Sequence, residues 1–201
     1  MGRVFEQAEQ YLDRLDPGVY VEIGTSRPGD DGSTSIIAGW AQRRGTSFTT
    51  VDVDPDHCQQ VRAQGLPATT VITAQGQDYL RHRYYSEPRI SFLYLDNFDW
   101  DWHPEKTEAF VLDQQRRYRT FGLEMTNVNS QRAHLSQAIL AMGHMTDRSL
   151  IVCDDTWFNP WWGHYSGKSG SAIPYLVDQG YQVLYTEEQP IYGTILGRNI
   201  Q

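Results

Sequence analysis

The segment Ile90-Ser-Phe-Leu-Tyr-Leu-Asp96 constrains this chain most, because it is an almost unbroken apolar run of strand length that stops on an acid. A strand with one wetted face alternates apolar and polar residues. A run of this kind is instead buried on both faces, as in parallel sheets covered by helices on either side. Similar runs recur: Val19-Tyr-Val-Glu-Ile-Gly24, Phe48-Thr-Thr-Val-Asp-Val-Asp54, Thr69 to Ala74 and Ser149-Leu-Ile-Val-Cys-Asp-Asp155 all read as strands. Helical spacing is expected between them, from Ser33 to Arg44, Pro55 to Ala63, Gln77 to Arg83, Ser130 to Met145 and Ser169 to Gln179. Tyr181 to Thr186 and Ile191 to Leu196 are joined by Glu187-Glu-Gln-Pro190, too short for a crossover helix, so these two strands pair antiparallel. The predicted fold is α/β: a Rossmann-like, doubly wound, mostly parallel seven-stranded sheet with an antiparallel last strand.

A length of 201 residues suits one domain spanning 1–201, with residues 97–129, including a helix from Glu105 to Tyr118, as an insertion or lid over the ligand rim. The net charge of −8 repels phosphate backbones and gives no support to general nucleic-acid binding, so a small molecule, and no nucleic acid, is the expected partner. No apolar stretch is long enough for a membrane span and Met1 to Glu6 carry no leader-like run, from which a cytoplasmic setting is expected. Cys58 and Cys153 fall in a helix and a strand, which favours structural thiols.

Ligands of doubly wound sheets bind beyond the carboxyl ends of the strands, so the acidic strand ends share one rim. The first turn, Glu22-Ile-Gly-Thr-Ser-Arg-Pro-Gly-Asp-Asp-Gly-Ser-Thr34, is neither G-x-G-x-x-G nor a phosphate-binding Gly-Lys-Ser/Thr loop. Glu22 suits the ammonium of a methionine-type ligand better than a pyrophosphate. Asp52 stands where a carboxylate accepts both ribose hydroxyls, and Asp54 reads as a cap for the helix after Pro55.

With these residues in place, the chain resembles class I S-adenosylmethionine (SAM)-dependent methyltransferases, and more narrowly the metal-dependent O-methyltransferases similar to catechol and macrocin O-methyltransferases. The resemblance runs from about Val19 to Leu196. The family's first motif looks like Val21-Glu22-Ile23-Gly24-Thr25-Ser26, its ribose acid like Asp52 followed by Val53, and its adenine-contacting glutamine like Gln77. The resemblance implies a SAM site of Glu22, Gly24, Thr25, Ser26, Ser33, Asp52, Val53, Gln77, Asp96, Asn97 and Phe98. It also implies metal ligands at Asp96, Asp154 and Asp155. Three carboxylates on one rim repel each other strongly without a cation, and oxygen-only ligands suit Mg²⁺ before Ca²⁺ or Mn²⁺.

Such an ion would hold a substrate hydroxyl in line with the transferable methyl, with Asp96 at the reacting centre. Catechol-type relatives place a lysine base three residues after the strand-four acid, where this chain has Asp99. Candidate bases are therefore Asp99, His103, His134, His164 and Lys168. Trp100, Trp102, Trp157, Trp161 and Trp162 read as walls for a planar, hydroxylated and aromatic substrate, or else as a homodimer interface. Gly163 to Gly170 reads as a mobile flap, and Arg116, Arg117 and Arg119 as a solvated face. The expected function is Mg²⁺-assisted methyl transfer from SAM to a hydroxyl oxygen of a small molecule. The alternatives are metal-independent transfer to N or O, and a SAM-binding protein without turnover.

Overall fold

A computed structural model describes residues 3–26, 32–99, 107–187 and 193–201. The strands are β1 Val19–Ile23, β2 Phe48–Asp52, β3 Thr69–Thr73, β4 Ile90–Leu95, β5 Met145–Asp154, β6 Thr156–Asn159, β7 His164–Gly167, β8 Gln182–Glu187 and β9 Gly193–Arg198. The helices are α1 Arg3–Glu9, α2 Ser33–Arg43, α3 Pro55–Gln64, α4 Gly76–His82, α5 Glu108–Thr120, α6 Asn127–Met142 and α7 Ala172–Asp178. Seven strands form one sheet in the order β3-β2-β1-β4-β5-β9-β8. The pairs from β3 through β5 are parallel, and β9 runs antiparallel to both β5 and β8. The sheet is thus mostly parallel and doubly wound, with its last strand reversed, as the apolar runs predict.

Side chains alternate across a strand, so each inner strand feeds two cores. Leu93 and Leu95 of β4 join Val21, Ile23, Ile151 and Cys153 against α4, α6 and α7. Phe92 and Tyr94 turn the other way, joining Tyr20, Phe48, Leu150 and Val152 against α1 and α2. Each such buried side chain contributes roughly 2 kcal/mol from area removed from water. This double burial is why the β4 sequence is apolar throughout rather than alternating.

Local chemistry sets the helix ends. Asp54 Oδ1 accepts from the Asp56 and His57 amides at 2.9 and 3.4 Å, Pro55 occupies the first turn, and Gly65 closes α3 at φ 62°. Thr126 Oγ1 accepts from the Asn129 amide at 3.1 Å and opens α6. Two elements depart from the sequence reading. Helix α1 was not expected; Val4, Phe5 and Ala8 bury one side of it, and the Glu187 carboxylate accepts from the Arg3 and Val4 amides at 3.3 and 3.0 Å. The stretch read as a flap instead forms β7, hydrogen-bonded to β6 from Thr156↔Gly167 to Asn159↔His164.

The chain winds outward in both directions from β1 and β4, which makes the crevice between their carboxyl ends the switch point of the sheet. Gly24 is forced by that crevice: its φ is +101°, and a Cβ there would lie 2.5 Å from Asn97 N and from the Asp96 carbonyl carbon.

Candidate functional site

A cavity of about 1110 Å³ opens at this switch point. Gly24, Thr25 and Ser26 line it from the turn after β1, Ser33 from the start of α2, Asp52 and Val53 from the end of β2 and just beyond it, and Gln77 from α4. Asp96, Asn97, Phe98 and Asp99 line it beyond β4, and Asp154 and Asp155 beyond β5. Residues 27–31 of the first turn, along with Trp100, Trp102 and His103, lie outside the described residues. Every residue assigned by resemblance to the SAM site therefore borders one space, except Glu22.

Glu22 sits behind the wall. Its Oε1 accepts from Ser33 Oγ at 2.8 Å, and its Oε2 accepts from Thr34 Oγ1 and Thr50 Oγ1 at 2.7 and 2.6 Å. Burial pushes its carboxyl up to about 7 against those three hydrogen bonds. The expectation that it meets a ligand ammonium is corrected: its oxygens face hydroxyls, and it shapes the site through Ser33 and Thr34.

Asp52 does reach the cavity. Its Oδ2 accepts from the Thr25 amide at 3.0 Å and its Oδ1 from the Asp54 amide at 2.8 Å, which fixes the carboxylate between the first two turns. Burial raises this carboxyl, opposed by those two amides. Gln77 Oε1 accepts from Gln137 Nε2 at 3.2 Å, leaving the Gln77 NH₂ as its outward donor. Asn97 Oδ1 is buried with no partner among the described residues.

The three acids beyond β4 and β5 do converge, but on a side chain. Lys168 Nζ lies 2.7 Å from Asp96 Oδ1, 3.1 Å from Asp155 Oδ2 and 3.4 Å from Asp154 Oδ2. Burial disfavours the ammonium, yet Asp155, Asp96 and Asp154 outweigh it and hold Lys168 well above the ordinary lysine range. Burial, then the neighbouring Asp96 and Asp155, hold the Asp154 carboxyl well above the ordinary carboxylate range. Among the described residues no group of three or more His, Cys, Asp or Glu side chains is arranged to hold a metal ion. The expected donor set of Asp96, Asp154 and Asp155 does not fit a divalent ion while Lys168 stands at its focus, because an ammonium already meets the acids where the ion would.

Hairpin β6–β7 makes this placement. It turns the chain back immediately after Asp155, and the Lys168 amide donates to the Asp155 carbonyl at 3.0 Å. Gly167, at φ +90°, leaves no room for a side chain: a Cβ would lie 1.8 Å from that carbonyl oxygen. Asp155 and Phe98 themselves take φ of 43° and 64°, a conformation costly for residues with a side chain and concentrated at functional sites.

The candidate bases separate clearly. Lys168 grips its proton and is spent on three carboxylates. His134 is buried, its Nδ1 lies 2.8 Å from Ser130 O, and burial pushes it down to about 4. It stays neutral, and neither it nor the exposed His164 lines the cavity. Of the described candidates, Asp99 lines it, and the Asp99 amide donates to Tyr118 Oη at 2.7 Å.

Of the tryptophans read as pocket walls or a dimer interface, the three after β5 do not line the cavity. Trp161 and Trp162 are 91% and 71% exposed on the β6–β7 turn, and with Trp157 they stay off the cavity wall. The aromatic surfaces come from Phe5, Tyr94, Phe98, Phe110, Tyr118 and Phe121. Helix α5 is more than a solvated face: Arg117 Nε donates to Asp54 Oδ2 at 2.6 Å, and Tyr118 packs on Phe98 with ring centroids 4.9 Å apart. Asp54 and Arg117 were readable separately as a cap and a charge run, but nothing in the sequence pairs them.

Several solved structures superpose over nearly the whole chain. N-methyltransferase NodS from Bradyrhizobium japonicum, in complex with S-adenosyl-L-homocysteine, matches 98% of this chain and 86% of its own at 10% identity and a TM-score of 0.56. An rRNA methylase from Streptococcus thermophilus matches 98% of both chains at 10% identity and 0.55. OxaC, in complex with S-adenosylhomocysteine (SAH) and oxaline, matches 98% of this chain and 47% of its own at 16% identity and 0.54. The fold is the class I methyltransferase fold. No protein-family model and no curated protein sequence matches the chain. At these identities the class I likeness is one of architecture, and it does not extend to the metal-dependent O-methyltransferase subtype.

Proposed function

We propose that the chain transfers a methyl group from SAM to a small-molecule acceptor held between β4, β5 and α5. The observation that carries this reading is the cavity at the β1–β4 switch point, bordered in turn by Gly24, Asp52, Gln77 and Asn97 and continuous with Asp96, Asp99 and Asp155. These residues suit the cofactor. Asp52 would accept the ribose hydroxyls, the Gln77 NH₂ and the unpartnered Asn97 Oδ1 offer a donor and an acceptor to the adenine, and the Gly24 turn admits close backbone approach. Bound there, SAM supplies an electrophilic methyl on a sulfonium. The protein's own contribution is to orient the acceptor, exclude water beneath α5, and take up a proton at Asp99 or Asp96.

The acceptor is an O–H or N–H group. Metal-assisted transfer to a hydroxyl was the reading implied by resemblance, and it requires Lys168 to leave the three acids. With Lys168 in place no described residue at the β4–β5 edge acidifies a hydroxyl; the acidic lining attracts a basic nitrogen, which, once it has given up its proton to Asp99 or Asp96, needs no metal to attack. Titration calorimetry with SAH tests the cofactor assignment: binding in the micromolar range is expected, and Asp52→Ala should weaken it more than tenfold, about 1.4 kcal/mol. Saturable NADH binding without any response to SAH overturns it.

A further inference from the structure

We propose that the Lys168 ammonium fills the place a divalent cation would take between Asp96, Asp154 and Asp155, so that the native protein holds no metal ion at these acids. The inference deepens the methyl-transfer reading, but its test reads metal binding and is decided whether or not the protein methylates anything.

Lysine has three N–H donors and no acceptor; Lys168 Nζ donates to Asp96 Oδ1 at 2.7 Å and to Asp154 Oδ2 at 3.4 Å, and pairs with Asp155 Oδ2 at 3.1 Å. Lys168 is buried, so its charge is met by these acids far more than by water. It acts as a positioning residue: it supplies positive charge against the mutual repulsion of three acids and aims them at the cavity they line. A divalent ion would do the same, but it would also offer open coordination positions to a substrate oxygen, which an ammonium cannot. Hairpin β6–β7, the side-chain-free Gly167 and the Lys168 amide bond to Asp155 hold the ammonium there through the backbone.

The spacing carries a second consequence. Mg²⁺ draws oxygens to about 2.1 Å and Ca²⁺ to about 2.3–2.6 Å, whereas these oxygens are set at ammonium distance. If the ammonium is removed, the vacated focus suits the larger ions, Ca²⁺ and Mn²⁺, before Mg²⁺.

The experiment is a Mn²⁺ titration, followed by the electron paramagnetic resonance of free Mn²⁺, on wild type, Lys168→Ala and Lys168→Ala/Asp155→Asn. The wild type is expected to take up no Mn²⁺ at these acids. Lys168→Ala should take up one equivalent of Mn²⁺, with Ca²⁺ competing better than Mg²⁺, and the added Asp155→Asn should remove that uptake. One Mn²⁺ bound by the wild type and lost in Asp155→Asn overturns the proposal, as does a folded Lys168→Ala protein that binds none. If Lys168→Ala does not fold, wild type and Asp155→Asn decide: no uptake in either sustains the proposal, and uptake that Asp155→Asn abolishes refutes it.

Discussion

Glu22→Gln should remove a defined part of the protein's pH-dependent stability. Glu22 is fully buried, receives three hydroxyl donors, and has its carboxyl raised from an ordinary 4.5 to about 7, chiefly by burial. A folded-state value above the unfolded one means that the native protein holds the proton more tightly. The stabilisation is therefore complete below 4.5 and is lost as pH rises through 7. Each pH unit in that interval corresponds to about 1.36 kcal/mol, so ionising the buried group costs about 3 kcal/mol in full, and about 2.5 kcal/mol of that falls between about pH 5 and about pH 8. Glutamine has no proton to lose. The variant is offset at every pH, because one amide NH₂ replaces an oxygen that accepts from hydroxyls, so the slope rather than the absolute stability is the quantity to read. Urea unfolding at several pH values measures it: the wild type should lose about 2.5 kcal/mol more than Glu22→Gln between the two extremes. Asp52 and Asp154, also raised, are common to both proteins and cancel. Parallel stability profiles for wild type and variant would refute the reasoning.

Two further outcomes follow from contacts described above. Gly24→Ala places a methyl group against the Asp96–Asn97 backbone at positive φ, and should cost at least about 2 kcal/mol in urea unfolding and abolish SAH binding; wild-type stability would contradict the seam between β1 and β4. Arg117→Ala leaves the buried Asp54 without its guanidinium; since Arg117 is partly exposed the expected loss is about 1–2 kcal/mol, and a double-mutant cycle with Asp54→Asn should return most of it as coupling.

The sheet was legible because its physics is local. A run such as Ile90 to Leu95 can be satisfied only by cover on both faces, and the four-residue link after Thr186 rules out a crossover. The rim was legible for the same reason, since strand ends carry their terminal residues with them. What escaped depends on contacts between segments far apart in the chain. Lys168 lies fourteen residues from Asp154, and only the β6–β7 pairing, masked by a Gly- and Ser-rich composition that reads as a flap, brings it home. Glu22 looked like a ligand contact because its strand position is right; its occupation by Thr34 and Thr50 depends on two other elements. Trp157, Trp161 and Trp162 could not be placed from composition, which indicates where apolar area exists and not which way a hairpin turns it.

The abutment of Gly24 on the Asp96–Asn97 backbone bears on how the rim behaves mechanically. Two loops that meet at van der Waals contact, with no side chain between them to compress, transmit displacement instead of absorbing it. The turn that would cradle one molecule and the strand end that would meet another form a single stiff joint. A shift of the first would therefore be passed to the second rather than taken up between them.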